Sequence, residues 1–103
     1  MIRRWLDFRT GVRLDRILGD PEQRELLAFA AENGWVDAEV AKRECGVANP
    51  PGKLEELVGN RGLEQLPVDL DRPEARAEYR TTLWALPIGR ALAAHRRQGG
   101  QAK

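Results

Sequence analysis

DAEVAKRECGVANPPGKLEELVGNRGL, residues 37–63, is the stretch whose reading decides the fold. Its pattern is a short helix, a turn, a second helix and a Gly-ended exit into a strand. Asp37 predicts an N-cap, because its carboxylate can accept from the first free backbone N–H groups of a helix. Ala38, Val40 and Ala41 give that helix an apolar side, and Gly46 breaks it. Pro50 or Pro51 opens the second helix, where a missing N–H costs nothing. Leu54, Leu57 and Val58 stand at i, i+3 and i+4, one buried stripe. Gly62 is the expected closing residue, in the position after a helix that favours glycine. Two short helices joined by a Gly-containing turn form the helix-turn-helix pattern.

Working outward toward the N-terminus, Asp20-Pro21-Glu22 combines an N-cap, a proline at the first helical position and an acid at the positive dipole end. The helix it starts has Leu26, Leu27, Phe29, Ala30 and Ala31 as its buried set, and Asn33-Gly34 ends it. Trp35-Val36 is too short for an independent strand but long enough for one bridge to a sheet. Residues 1–18 read as helical with a break at Gly11, and as an N-terminal extension through residue 19. Apolar residues so near a terminus need a partner, either the core or a second subunit.

Toward the C-terminus the period changes from 3.6 to 2. Leu66, Val68 and Leu70 alternate with polar residues or proline, and Pro67 places that strand at an edge. Asp71-Arg72-Pro73-Glu74 is a turn. Ala77, Tyr79, Thr81 and Leu83 then alternate with Glu78, Arg80, Thr82 and Trp84, predicting a half-buried strand that reaches Trp84. Pro87 opens a last helix with Ile88 and Leu92 inward. Residues 98–103 have nothing to bury and are expected to be disordered.

Bulk properties bound the function. A chain of 103 residues with 42% hydrophobic and 32% charged residues fits one domain with a modest core. No apolar run approaches the ~20 residues needed to span a bilayer, and MIRRWLDF lacks the apolar core of a secretory signal. With a lone cysteine, Cys45, excluding an internal disulfide, the expected location is the cytoplasm. One histidine, His95, and acids scattered beside arginines give no pattern for an enzyme, a metal site or a cofactor. A net charge of +1 argues against a wholly basic surface but leaves room for a local basic stripe.

Several stretches taken in order resemble the winged helix-turn-helix domain of MarR- and PadR-type bacterial transcription regulators. LLAFAAENG resembles their first core helix, and DAEVAKRECGV the second helix and turn. KLEELVGNRGLEQL resembles the end of the third helix and the start of the wing. EYRTTLWALPIGRAL resembles the returning strand and final helix. The resemblance covers about residues 22–95 and implies an α+β, mainly helical fold with a three-helix core, a β-hairpin wing and N- and C-terminal helices. The winged-helix domain is then expected over residues 20–97.

The resemblance implies binding of double-stranded DNA as a small regulator or accessory factor. Asn49, Lys53 and Asn60 would lie on the groove helix, Lys42 and Arg43 on the preceding helix end, and Arg72, Arg76 and Arg80 in the wing. A homodimer through residues 1–18 and the last helix is the matching expectation. The second expectation comes from the residues themselves. Glu55 and Glu56 follow Lys53, and carboxylates are repelled by phosphates. An acidic third helix and a wing carrying Trp84 also suit a protein–protein interaction module on the same frame.

Overall fold

Asp20 opens the helix against which the other four helices and two of the three strands of the described residues are packed. The structure, a computed structural model, describes residues 11–67 and 77–101, with side chains as far as Gln98. Within these the order is α1 (Leu14–Leu18), α2 (Pro21–Asn33), β1 (Val36–Asp37), α3 (Ala38–Cys45), α4 (Pro50–Gly59), β2 (Leu63–Gln65), β3 (Glu78–Thr81) and α5 (Leu86–Gln101).

The ends of α2 and α3 are built from local chemistry. Asp20 Oδ1 accepts from the N–H of Glu22 at 3.0 Å and of Gln23 at 3.4 Å, ahead of Pro21 at the first helical position. Gly34 closes α2 in the left-handed region at φ 92°. Asp37 Oδ1 accepts from the N–H of Val40 at 2.8 Å to start α3, and Gly46 ends it at φ 66°. Leu26 and Leu27 are fully buried, each a burial worth about 1.5–3 kcal/mol. They share the core with Ile17, Val36, Leu54, Leu57, Leu63 and Tyr79.

The end of α4 differs from expectation. Arg61, not Gly62, takes the left-handed position at φ 63°. The Gly62 N–H donates to the Leu57 carbonyl at 2.9 Å and the Arg61 N–H to that of Val58 at 3.0 Å, the paired bonds of a Schellman ending. Gly62 is needed for space: an added Cβ would lie 2.9 Å from Leu57 Cδ2 and 3.1 Å from Ile17 Cδ1.

The three strands form one antiparallel sheet in the order β1-β3-β2. Val36 pairs with Tyr79, and Leu63, Glu64 and Gln65 pair with Thr81, Arg80 and Tyr79. The bridge expected at Trp35-Val36 therefore exists, one residue later, at Val36–Asp37. The ribbon is shorter than its alternation predicts. β2 starts at Leu63, directly after the tight end of α4, and among the described residues the last bond on this side is from the Leu66 N–H to the Glu78 carbonyl. Pro67 has no N–H to extend it. Val68, Leu70 and the expected turn at 71–74 lie outside the described residues.

At the other end β3 stops at Thr81, so Leu83 and Trp84 are not strand residues. The N–H groups of Ala85 and Leu86 both donate to the Thr82 carbonyl, winding the chain directly into α5. This helix lies along α2 and runs to Gln101, past the expected end at residue 97. Gly89 allows the approach, because a Cβ there would meet Ala31 Cβ at 2.7 Å and the Leu27 carbonyl at 2.8 Å.

The N-terminal extension is also corrected where it is described. Gly11 has φ 77°, residues 11–13 are not helical, and α1 is limited to Leu14–Leu18. Val12, Leu14 and Ile17 are buried in the chain's own core. Residues 1–10 lie outside the described residues. Among those described, no helix is long and apolar enough to cross a membrane.

Candidate interaction site

Lys53 is the one cation on α4, and the fold turns it inward. Its Nζ lies 2.8 Å from Asp20 Oδ2, 3.1 Å from Glu56 Oε2 and 3.7 Å from Glu22 Oε1. The Asp20 bond first, and the Glu56 bond next, hold the ammonium well above the usual lysine value. Burial alone would raise the Asp20 carboxyl. The bonds from Lys53, from the Gln23 side chain and from the backbone of Gln23 and Glu22 outweigh it and lower the group.

An amide chain extends this network. Gln23 Nε2 donates to Asp20 Oδ2 at 3.1 Å and to Glu56 Oε2 at 3.2 Å, while Asn60 Nδ2 donates to Gln23 Oε1 at 2.9 Å. Gln23 and Asn60 are the two buried polar residues among those described. The Asn60 carbonyl also accepts the Arg13 N–H at 2.8 Å. Together these bonds tie the start of α2 to both ends of α4.

Two of the expected DNA contacts thus lie within this network. Lys53 is neutralised by carboxylates because α2 presents its capping acid to the start of α4. Asn60 is buried because the Schellman ending turns it toward Gln23. Asn49 is exposed but its amide folds over Gly52, where an added Cβ would come within 2.6 Å of Nδ2. The exposed acids of α4 are Glu55 and Glu56.

Of the other expected contacts, Lys42, Arg43 and Arg80 are described. Lys42 and Arg43 are exposed at the end of α3, and Arg43 Nε pairs with Glu44 at 3.2 Å. Arg80 Nε pairs with Glu64 Oε1 at 2.6 Å across β2 and β3. Arg72 and Arg76 lie outside the described residues. Burial first, then the carboxylates of Glu25 and Glu44, pushes the Cys45 thiol up to about 11, so the thiol stays protonated at neutral pH.

A second region holds Trp84, which the sequence offered to a protein partner, together with Leu83, which it did not. Leu83 and Trp84 are the large apolar residues left exposed among those described, at 76% and 61%. Their turn is anchored on both sides. Thr82 donates its N–H to the Gly62 carbonyl at 3.0 Å and its hydroxyl to the Arg61 carbonyl at 2.7 Å, and Ala85 is fully buried. Beside them runs a groove of about 400 Å³ between the end of α2 and the start of α5. Leu83, Leu86, Ala30 and Ala31 line it with Arg80 and Arg90. Strict alternation had assigned Leu83 to the core face of a strand.

Compared with protein-family models, curated proteins and solved structures, the chain matches none. What the coordinates define is a mainly helical α+β domain with a three-stranded antiparallel sheet.

Proposed function

We propose that this chain is a protein–protein interaction module on a winged-helix frame. The succession of α2, β1, α3, α4 and a β2–β3 ribbon, with strand order β1-β3-β2, supports that frame. The observation that carries the functional reading is the state of Lys53. With its charge met by Asp20, Glu22 and Glu56, α4 offers a phosphate backbone Glu55 and Glu56 and no available cation. Carboxylates there repel DNA, while affinity for duplex comes largely from neutralised phosphates.

Binding of double-stranded DNA by a small regulator is the second reading. Exposed Lys42 and Arg43 in the last turn of α3 favour it, since lysine and arginine side chains are common partners of backbone phosphates. Fluorescence anisotropy with a labelled random duplex at low and moderate salt decides between the two. The interaction reading expects affinity no tighter than the ordinary non-specific range of about 10⁻⁴–10⁻⁶ M at physiological salt. Tighter binding that falls steeply with salt, and weakens in Lys42→Ala and Arg43→Ala, would replace it with the DNA reading. Homodimerisation through residues 1–18 and α5 is a separate proposal, tested by sedimentation of the full chain.

A further inference from the structure

A tryptophan and a leucine side by side in water are an energetic liability unless something covers them. Large apolar groups displayed on a fixed backbone are how interfaces concentrate binding energy, with tryptophan and arginine the commonest anchors. Leu83 and Trp84 have that fixed backbone. Bonds from Thr82 hold one side of their turn to the end of α4, and buried Ala85 with the first turn of α5 holds the other. Little conformational freedom of the main chain is left to lose on binding.

The charges beside them select the partner. The groove next to the turn is floored by Ala30, Ala31 and Leu86 and rimmed by Arg80, Arg90 and Glu64. Glu64 is already taken by Arg80 at 2.6 Å. Arg90 is exposed and, among the described residues, has no carboxylate partner. The rim therefore presents one uncompensated guanidinium over an apolar floor. The chain's own first ten residues, MIRRWLDFRT, have three arginines against one aspartate and so share the sign of this rim. Like charges disfavour that segment as the occupant.

We propose that the Leu83–Trp84 turn and the adjoining groove bind an acidic, amphipathic peptide segment of a partner protein. Its apolar side chains cover Leu83 and Trp84 and enter the groove, and a flanking carboxylate pairs with Arg90. The inference rests on the interaction-module reading and adds to it the place and the chemistry of the partner.

The test uses the full chain and three dye-labelled dodecapeptides read by fluorescence anisotropy. One has a Leu-Phe pair flanked by glutamates, one the same pair flanked by lysines, and one alanines in place of the pair. The glutamate peptide is expected to bind at least about tenfold tighter than the other two. Trp84→Ala and, separately, Arg90→Glu should each weaken it by about tenfold or more. Both residues are exposed, so the thermal midpoints of the variants should match the parent, which separates loss of binding from loss of fold.

Equal binding of the glutamate and lysine peptides, still lost in Trp84→Ala, would overturn the acidic-partner inference while leaving an interaction module standing. Binding unchanged in both variants would overturn it as well. So would a dimer in sedimentation velocity that Trp84→Ala converts to monomer, because a second copy would then be the occupant. Oligothymidine that binds through Trp84 while no peptide does would remove the protein-partner reading together with the inference.

Discussion

Replacing Gly89 by alanine sets two effects of similar size against each other. In the interior of α5 alanine is better than glycine by about 1 kcal/mol, because less backbone entropy is lost on folding. Against this, the new Cβ would sit 2.7 Å from Ala31 Cβ and 2.8 Å from the Leu27 carbonyl oxygen. Neither atom is the end of a flexible side chain, so α2 and α5 must move apart. Overpacking of this kind costs typically 1–3 kcal/mol, and two rigid contacts place it toward the upper end. The expected balance is a loss of about 1–2 kcal/mol, or several degrees in midpoint at ~4–8 °C per kcal/mol for a domain of this size. Gly59 is the control. It is the last residue of α4, and a Cβ there meets nothing within 4 Å. Gly59→Ala should therefore gain up to about 1 kcal/mol. Urea denaturation followed by circular dichroism gives both numbers. Ala31→Gly in the Gly89→Ala background should restore only part of the loss, since the Leu27 carbonyl remains. A Gly89→Ala protein as stable as the parent would refute the close packing of α2 on α5.

Three further outcomes follow from the polar network and the thiol. Asn60→Ala removes the bond to Gln23 Oε1 within a buried pair and should cost about 1–3 kcal/mol, read as a lower urea midpoint at unchanged slope. Asp20 has a lowered folded value, so its contribution is fully present above the unfolded value of 3.8. It is lost as pH falls through the lower folded value; urea midpoints should therefore drop on acidification, and Asp20→Asn should flatten that drop. Cys45 shifts from 9.0 to about 11, which leaves about a hundredfold less thiolate at pH ~8. Iodoacetamide should accordingly label it far more slowly in the folded chain than in urea, and equal rates would contradict its burial.

Much of the helical part was legible from neighbouring residues because helix ends are governed by local chemistry. Asp20 and Asp37 accept from N–H groups two or three residues ahead, and Gly34 and Gly46 supply left-handed backbone, with no reference to the rest of the chain. The ribbon was legible in kind but not in extent. Alternation marked residues 66–84 as pleated, yet the ladder needs a partner opposite each residue, and among the described residues pairing runs from Leu63 to Leu66 on one side and ends at Thr81 on the other. Gln23 stands three positions after the N-cap Asp20 and donates to its carboxylate, a local contact. Its other partners, Glu56 and Asn60, are 33 and 37 residues away.

The amino-acid order by itself determined where α2 and α3 begin, where α4 and α5 begin to within a residue, and that a pleated segment lies between α4 and α5, since caps, prolines and periodicity act over a few residues. Tertiary structure alone decided the fate of the charges and of the last aromatic. Lys53 lost its availability when α2 brought Asp20 beside it, and Trp84 became exposed when the bond from Leu86 to Thr82 turned the chain into α5. Ion pairing and exposure depend on distance in space, and in these places space joins residues that the chain keeps far apart.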